Sequence, residues 1–292
     1  MIRLSHTRKA LAISVALILT GLVGQATAAT TTAARDSAAP VTSASPGPST
    51  PAPGRPVATK PAPKPTKTKP RTESAPISAV TITKPKGKGK TGPAGSLLVT
   101  GTKGVALTFD DGPDPQYTPA LLKLLAKEKV KATFCLVGTQ ARRHPDLVKA
   151  IAAGGHSFCN HSWNHDLKLG KRQPKAIRAD FERANAAIRA AVPNAKIRYM
   201  RAPGGNFTPP MVKVAAEMGM HSIYWKVDPR DWEHLPGQSG AQHRNKIIRI
   251  VKGQTRPGAI VLAHDYAQPE TIAAFRTLLP YLRKRFQLVA LT

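Results

Sequence analysis

From roughly Leu97 to Thr292 the sequence predicts an α/β fold in which parallel strands are wrapped by helices. Three observations predict it. Short apolar, often β-branched runs alternate with segments of helical periodicity. Polar residues gather just after the apolar runs, where α/β folds bind ligands. The segment is also long enough to bury one sizeable core, and it shows no repeat at a fixed period.

The first apolar run, Val105 to Phe109, leads into a helical stretch from Ala120 to Lys129. The next runs are Ala132 to Val137, His156 to Asn160, Ile197 to Met200, Ser222 to Val227, Ala259 to Ala263 and Gln287 to Leu291, giving seven strands. Between them, Leu, Ile and Ala recur three and four apart in Pro145 to Ala153, Pro174 to Ala191, Pro210 to Met218, Ala241 to Val251 and Thr271 to Arg285. Such alternation suits parallel strands with helical crossovers. Alternation alone does not choose between a closed barrel and an open, doubly wound sheet.

The strand ends carry the chemistry. After the first comes Thr108-Phe109-Asp110-Asp111-Gly112-Pro113. On a straight strand adjacent carboxylates point to opposite faces, so the turn at Gly-Pro is what lets both serve one pocket. An ordinary turn uses the same residues. After the third strand, His161 and His165 stand four apart in His161-Ser162-Trp163-Asn164-His165. One helical turn would place both imidazoles on one side, a spacing that chelates metal and that surface histidines also show. With Asp111 they make a two-His, one-carboxylate set that leaves coordination positions open, as catalysis requires. Three more strand ends add Arg201-Ala202-Pro203-Gly204-Gly205, Asp228-Pro229-Arg230-Asp231-Trp232 and Leu262-Ala263-His264-Asp265. Taken singly, Arg201 reads as a surface base, Asp231 as a turn acid and His264 as a core histidine.

In this order, the five stretches resemble the five motifs of the polysaccharide deacetylase family, also called the NodB-homology domain or carbohydrate esterase family four. The resemblance spans Val105 to His264 and implies a distorted seven-stranded (β/α) barrel. It also implies roles. Asp111, His161 and His165 match the metal triad; zinc is the usual occupant, and cobalt, nickel or iron would suit the same donors. Asp110 matches the catalytic base and Arg201 the arginine that orients it. His264 matches the general acid and Asp231 its carboxylate partner. An amide nitrogen leaves poorly unless protonated, and a neighbouring carboxylate favours the protonated imidazole. Trp232 and Leu262 would wall the acetyl pocket, with Pro203 and Gly204 beside the oxyanion. Many relatives carry Tyr or Phe where this chain has Gly204, which leaves the sugar platform, and with it the choice among chitin oligomers, peptidoglycan and acetylxylan, open. The implied activity is hydrolysis of N-acetyl groups on a glycan containing N-acetylglucosamine. An O-acetyl xylan esterase, a non-haem iron oxygenase and a catalytically silent wall-binding module are the rival readings.

The N-terminal third differs in kind. Arg3, Arg8 and Lys9 precede an uncharged apolar stretch from Ala10 to Val23, and Ala26-Thr27-Ala28 supplies a small-residue cleavage pattern. This is a signal-peptide layout over residues 1–28; at 14 residues the apolar run falls short of the ~20 a membrane helix needs. Residues 29–95 hold 13 of the 27 prolines among Ala, Ser, Thr and Lys, with no aromatic residue to build a core. A semi-stiff basic tether is expected there, with the catalytic domain at 96–292.

The formal charge of +28 invites a nucleic-acid reading, but much of it sits in the leader and tether, leaving about +16 for the folded part. Lys84, Lys86, Lys88 and Lys90 alternate with Pro and Gly and offer no aromatic platform for bases. An anionic cell wall is the partner such a tether suits, unless the charge serves only solvation. Cys135 and Cys159 fall on the second and third strands. If those strands pair, a disulfide between them is expected, since export permits one. His144, His156, His221, His234 and His243 fit no motif and are assigned to structure or surface.

Overall fold

The computed structural model describes residues 79–80 and 91–292. The predicted signal peptide and most of the predicted tether lie outside the described residues. The strands are β1 (Ala79–Val80), β2 (Val105–Asp110), β3 (Thr133–Leu136), β4 (Ser157–Asn160), β5 (Ile197–Met200), β6 (His221–Ser222), β7 (Ile260–His264) and β8 (Leu288–Leu291). The helices are α1 (Thr118–Lys127), α2 (Gly138–Arg143), α3 (Pro145–Ala153), α4 (Pro174–Ala191), α5 (Pro209–Glu217), α6 (Gly240–Gln254) and α7 (Pro269–Arg283). No helix among the described residues is long and apolar enough to cross a membrane.

The strands pair in parallel in the order β1-β8-β2-β3-β4-β5-β6, and β7 adds to β2 beside β8. Past β6 the chain bridges Val227 to Val261 of β7, so the curled sheet meets itself at one point. The result is the distorted, incompletely closed α/β barrel that the motifs imply. All seven expected strands are present, with β6 shortened: only His221 and Ser222 form strand, and the rest of the expected run to Val227 keeps isolated bridges at Ile223 and Val227.

Two expectations need correction. The tether does not extend to residue 95, because Ala79–Val80 already pairs with β8 and Thr91 bridges Leu97. The folded part therefore starts before Ser96. Helix α2 was not expected; at six residues it is too short to show a periodicity.

The alternation of the strands explains where the site lies. On β2, Val105, Leu107 and Phe109 face the helices, where Phe109 meets Phe134 and Phe275 at ring distances of 5.5 and 5.0 Å. The opposite face carries Ala106, Thr108 and Asp110, apolar at the bottom of the barrel and acidic at its mouth. On β7 the inward row is Ile260, Leu262 and His264, which changes character in the same direction. The barrel interior is closed below by a small cluster that includes Tyr199, Val289 and the disulfide Cys135–Cys159, whose strands stand in register. A row of period two thus delivers Asp110 and His264 to the carboxyl end of the sheet, where the residues just past the other strand ends join them.

Candidate active site

Asp110 closes β2, and Asp111 leaves the strand with φ of +74°. That left-handed turn costs a non-glycine residue on the order of 1–2 kcal/mol. It brings Asp111 to the same cavity as Asp110, as the Gly112-Pro113 turn suggests. The histidine pair follows β4, but its geometry differs from expectation. Residues 161–165 form no helical turn; Ser162 and His165 have φ of +64° and +58°, and the loop folds the two rings to 5.0 Å. Buried Asn160 secures it, accepting from Ser162 N–H and donating to the Phe181 carbonyl and the Asn185 side chain of α4.

The donor atoms of Asp111, His161 and His165 lie within 4.8 Å of one another. Asp111 Oδ1 is buried, without an aligned hydrogen-bond donor, 3.2 Å from His161 Nε2 and 3.3 Å from His165 Nε2. His161 Nδ1 lies 2.9 Å from the Arg201 carbonyl. A carbonyl only accepts, so Nδ1 carries the proton and Nε2 turns its lone pair toward the triad. These donors fit a divalent cation. Burial opposes charge on Asp111, but the imidazoles packed against it, His161 first and then His264 and His165, hold its carboxyl far below the ordinary range.

Two ion pairs flank the triad. Arg201, at the end of β5 and fully buried, donates from Nη1 to Asp110 Oδ1 at 2.6 Å and to Thr108 Oγ1 at 2.9 Å, and from Nη2 to the Tyr224 carbonyl at 2.9 Å. On the other side His264 Nδ1 lies 2.8 Å from Asp231 Oδ1. Asp231 Oδ2 accepts from His264 N–H at 2.8 Å and Thr271 Oγ1 at 2.7 Å. Burial alone would depress the His264 pKa, yet Asp231, with Asp111 and Asp110, overrides it and pushes the imidazole up to about 10. At neutral pH it is a cation with a proton to give.

The cavity between the pairs measures about 330 Å³. Asp110, Asp111, His161, His165 and His264 line it, with Leu262, Gly204 and the half-exposed Trp232 among its walls. Pro203 does not line it: its ring is buried in the 3-10 turn Pro203–Gly205, which it shapes. Trp225, Leu167 and Asp228 line the cavity without having been singled out in the sequence. Leu167 covers Gly204, its Cδ2 standing 3.0 Å from where a Cβ on that residue would sit. Asp265 was quoted only as a neighbour of His264. It is fully buried behind the turn, accepts from Thr118 Oγ1 at 2.5 Å, and burial raises its pKa to about 7.

Comparison with known proteins agrees with this geometry. The family profile described as polysaccharide deacetylase matches residues 99–223. Over 200 residues the chain is 38% identical to a chitooligosaccharide deacetylase of Bradyrhizobium sp. (strain ANU 289), covering 64% of this chain and 88% of that protein. Over 185 residues it is 35% identical to a peptidoglycan-N-acetylglucosamine deacetylase of Bacillus cereus, covering 62% and 82%. Among solved structures, a family 4 carbohydrate esterase from Streptomyces lividans in complex with acetate superposes with a TM-score of 0.56 at 28% identity, covering 64% of this chain and 91% of that one. A CE4 family pseudoenzyme from Bacillus anthracis superposes with a TM-score of 0.59 at 29% identity, covering 67% and 66%.

Proposed function

Because the chain belongs to the polysaccharide deacetylase family, we propose that it is a secreted, zinc-dependent enzyme that deacetylates glycans containing N-acetylglucosamine at the cavity between Arg201–Asp110 and Asp231–His264. The reaction class is hydrolysis of the carbon–nitrogen bond of N-acetyl groups. The observation that carries the reading is the placement of a carboxylate held by a buried cation and an imidazole held by a buried carboxylate on one cavity, beside a His/Asp triad.

Each residue then has a task. Asp110, oriented by Arg201 and Thr108, accepts a proton from the attacking water as its oxygen bonds to the acetamide carbonyl carbon. When a divalent cation is held by Asp111, His161 and His165, it supplies Lewis acidity that acidifies water and polarises the carbonyl. His264 donates its proton to the amide nitrogen as the carbon–nitrogen bond breaks, so that acetate and a free amine leave. Asp231 keeps that imidazole charged before the transfer and orients it through Nδ1. Trp232 and Leu262 enclose the acetyl methyl group, while Leu167 takes the ground that a side chain at Gly204 would occupy. Secretion rests on the leader at residues 1–28, and retention at an anionic wall on the lysines of the tether.

The test strips the full-length chain with chelator, restores zinc, and measures acetate released from N-acetylglucosamine oligomers and peptidoglycan. Release that depends on zinc supports the reading. Release undiminished in chelator, or none from either glycan with zinc bound, overturns it.

A further inference from the structure

Leu167 has two sides. One lines the catalytic cavity; the other lines a second cavity of about 410 Å³. The same two segments build both: residues 167–171 on one side and 204–208 on the other run from the first cavity into the second. Their polar character changes along the way. The catalytic cavity is lined by Asp110, Asp111 and Asp228, whereas the neighbouring one has no carboxylate in its lining and carries Lys168 and Lys171 with Asn206 and Thr208.

The lysine-bearing turn is held in place. Asn206 Nδ2 donates to the Leu167 carbonyl at 3.1 Å and Thr208 Oγ1 to the Gly170 carbonyl at 2.8 Å. Any side chain at Gly170 would meet Thr208, with Cγ2 2.9 Å from the added Cβ. Asp166, the acidic residue nearest in sequence, is engaged by Arg172 at 2.6 Å. No carboxylate among the described residues lies within 4.0 Å of either lysine ammonium. Two ammonium groups therefore stand without a close ion pair on a fixed backbone, one and four residues beyond Leu167, with Asp166 near enough to feel the Lys168 charge but held by Arg172.

We propose that this second cavity is a subsite for a sugar carrying a carboxylate, so that the enzyme acts on an N-acetylglucosamine whose neighbour in the strand is acidic, in preference to a neutral homopolymer. The inference rests on the N-deacetylase reading and narrows its substrate class. Leu167 supplies the apolar ridge between the two sugars, and Lys168 and Lys171 bind the carboxylate of the second. Such contacts form equally before and during the reaction. They act on KM and leave kcat unchanged.

The experiment uses the full-length, zinc-loaded chain and three substrates of equal length: an N-acetylglucosamine oligomer, a peptide-free peptidoglycan strand bearing lactyl carboxylates, and the same strand with those carboxylates amidated. The wild-type chain should show the lowest KM for the charged strand, with the advantage fading at high salt and on amidation. Lys168→Gln with Lys171→Gln should raise KM for the charged strand by about 3- to 10-fold, the worth of two exposed ion pairs, and leave kcat and the neutral oligomer untouched. Equal KM for charged and amidated strands, or an equal change on all three substrates, overturns the subsite while N-deacetylation stands. Acetate from none of them overturns both.

Discussion

The two ion pairs that flank the cavity are built with opposite polarity. At the base side the supporting partner is a cation, Arg201, and the working group is the carboxylate of Asp110, 2.6 Å away. At the acid side the supporting partner is a carboxylate, Asp231, and the working group is His264, 2.8 Å away. The difference extends to what each pair touches. Arg201 also fixes the triad, because its carbonyl takes the His161 Nδ1 proton, whereas Asp231 is tied to Thr271 of α7. In the proposed mechanism, the half that attacks the carbonyl is thus joined by a hydrogen bond to the Asp111, His161 and His165 triad, and the half that releases the amine is not. Their hydrogen bonds are distinct, and the charges of Asp111 and Asp110 on His264 couple the two.

The largest effects should separate the halves by leaving group. Asp110→Asn is expected to cost roughly 10²- to 10⁴-fold in turnover on N-acetyl and O-acetyl substrates alike, since both need the attack. His264→Ala should cost as much on the amide and much less on the ester, because an alkoxide leaves more easily than an amide anion. Parallel acetate-release assays on N-acetylglucosamine oligomers and acetylated xylan measure both. Equal losses from His264→Ala on the two linkages would contradict the assignment of the acid.

The next effect belongs to the acid side. His264 has its folded pKa raised from about 6.5 to about 10, so its pairing stabilises the fold fully below pH 6.5 and is lost as pH rises toward 10. The loss approaches about 5 kcal/mol for a shift of this size. Metal-free wild type should therefore fall in unfolding temperature across that window more steeply than Asp231→Asn. Identical slopes would remove Asp231 as the source of the shift.

The coupling of the base side to the triad gives a third test. Zinc at a hundred times its dissociation constant should stabilise the folded chain by about 2.7 kcal/mol. His161→Ala should abolish that thermal shift, and Asp231→Asn should preserve it. A zinc-dependent shift in the His161→Ala protein would exclude His161 as a ligand.

How much of this was legible follows from what sequence encodes locally. Asp110, Asp111, Arg201, Asp231 and His264 were found because the C-terminal end of a strand is recognisable, and that is where parallel α/β sheets gather chemistry. The histidine spacing was informative for the wrong local reason: Ser162 and His165 take left-handed conformations with no glycine to announce them. Leu167, Trp225 and Asp228 reach the cavity from loops placed by tertiary contacts, so no periodicity marks them. Two residues of strand at Ala79–Val80 within a proline-rich stretch carry too little pattern to be seen.

The smallest effect compares the threonines behind the two pairs. Thr108 accepts from Arg201 and donates to the Val261 carbonyl at 2.7 Å, so Thr108→Val leaves a buried guanidinium N–H and a carbonyl short of a partner. Thr271 only donates to Asp231, which keeps both of its His264 contacts. Thr108→Val should then cost about 2–3 kcal/mol of unfolding free energy and Thr271→Val about 1 kcal/mol. In the Thr271→Val protein the pH dependence of turnover should shift upward, since a carboxylate relieved of one hydrogen-bond donor is more basic and holds the His264 proton more firmly. Denaturant titration and a pH–rate profile check the two claims. A larger loss at Thr271 than at Thr108 would place the mechanical support on the acid side and reverse the contrast between the halves.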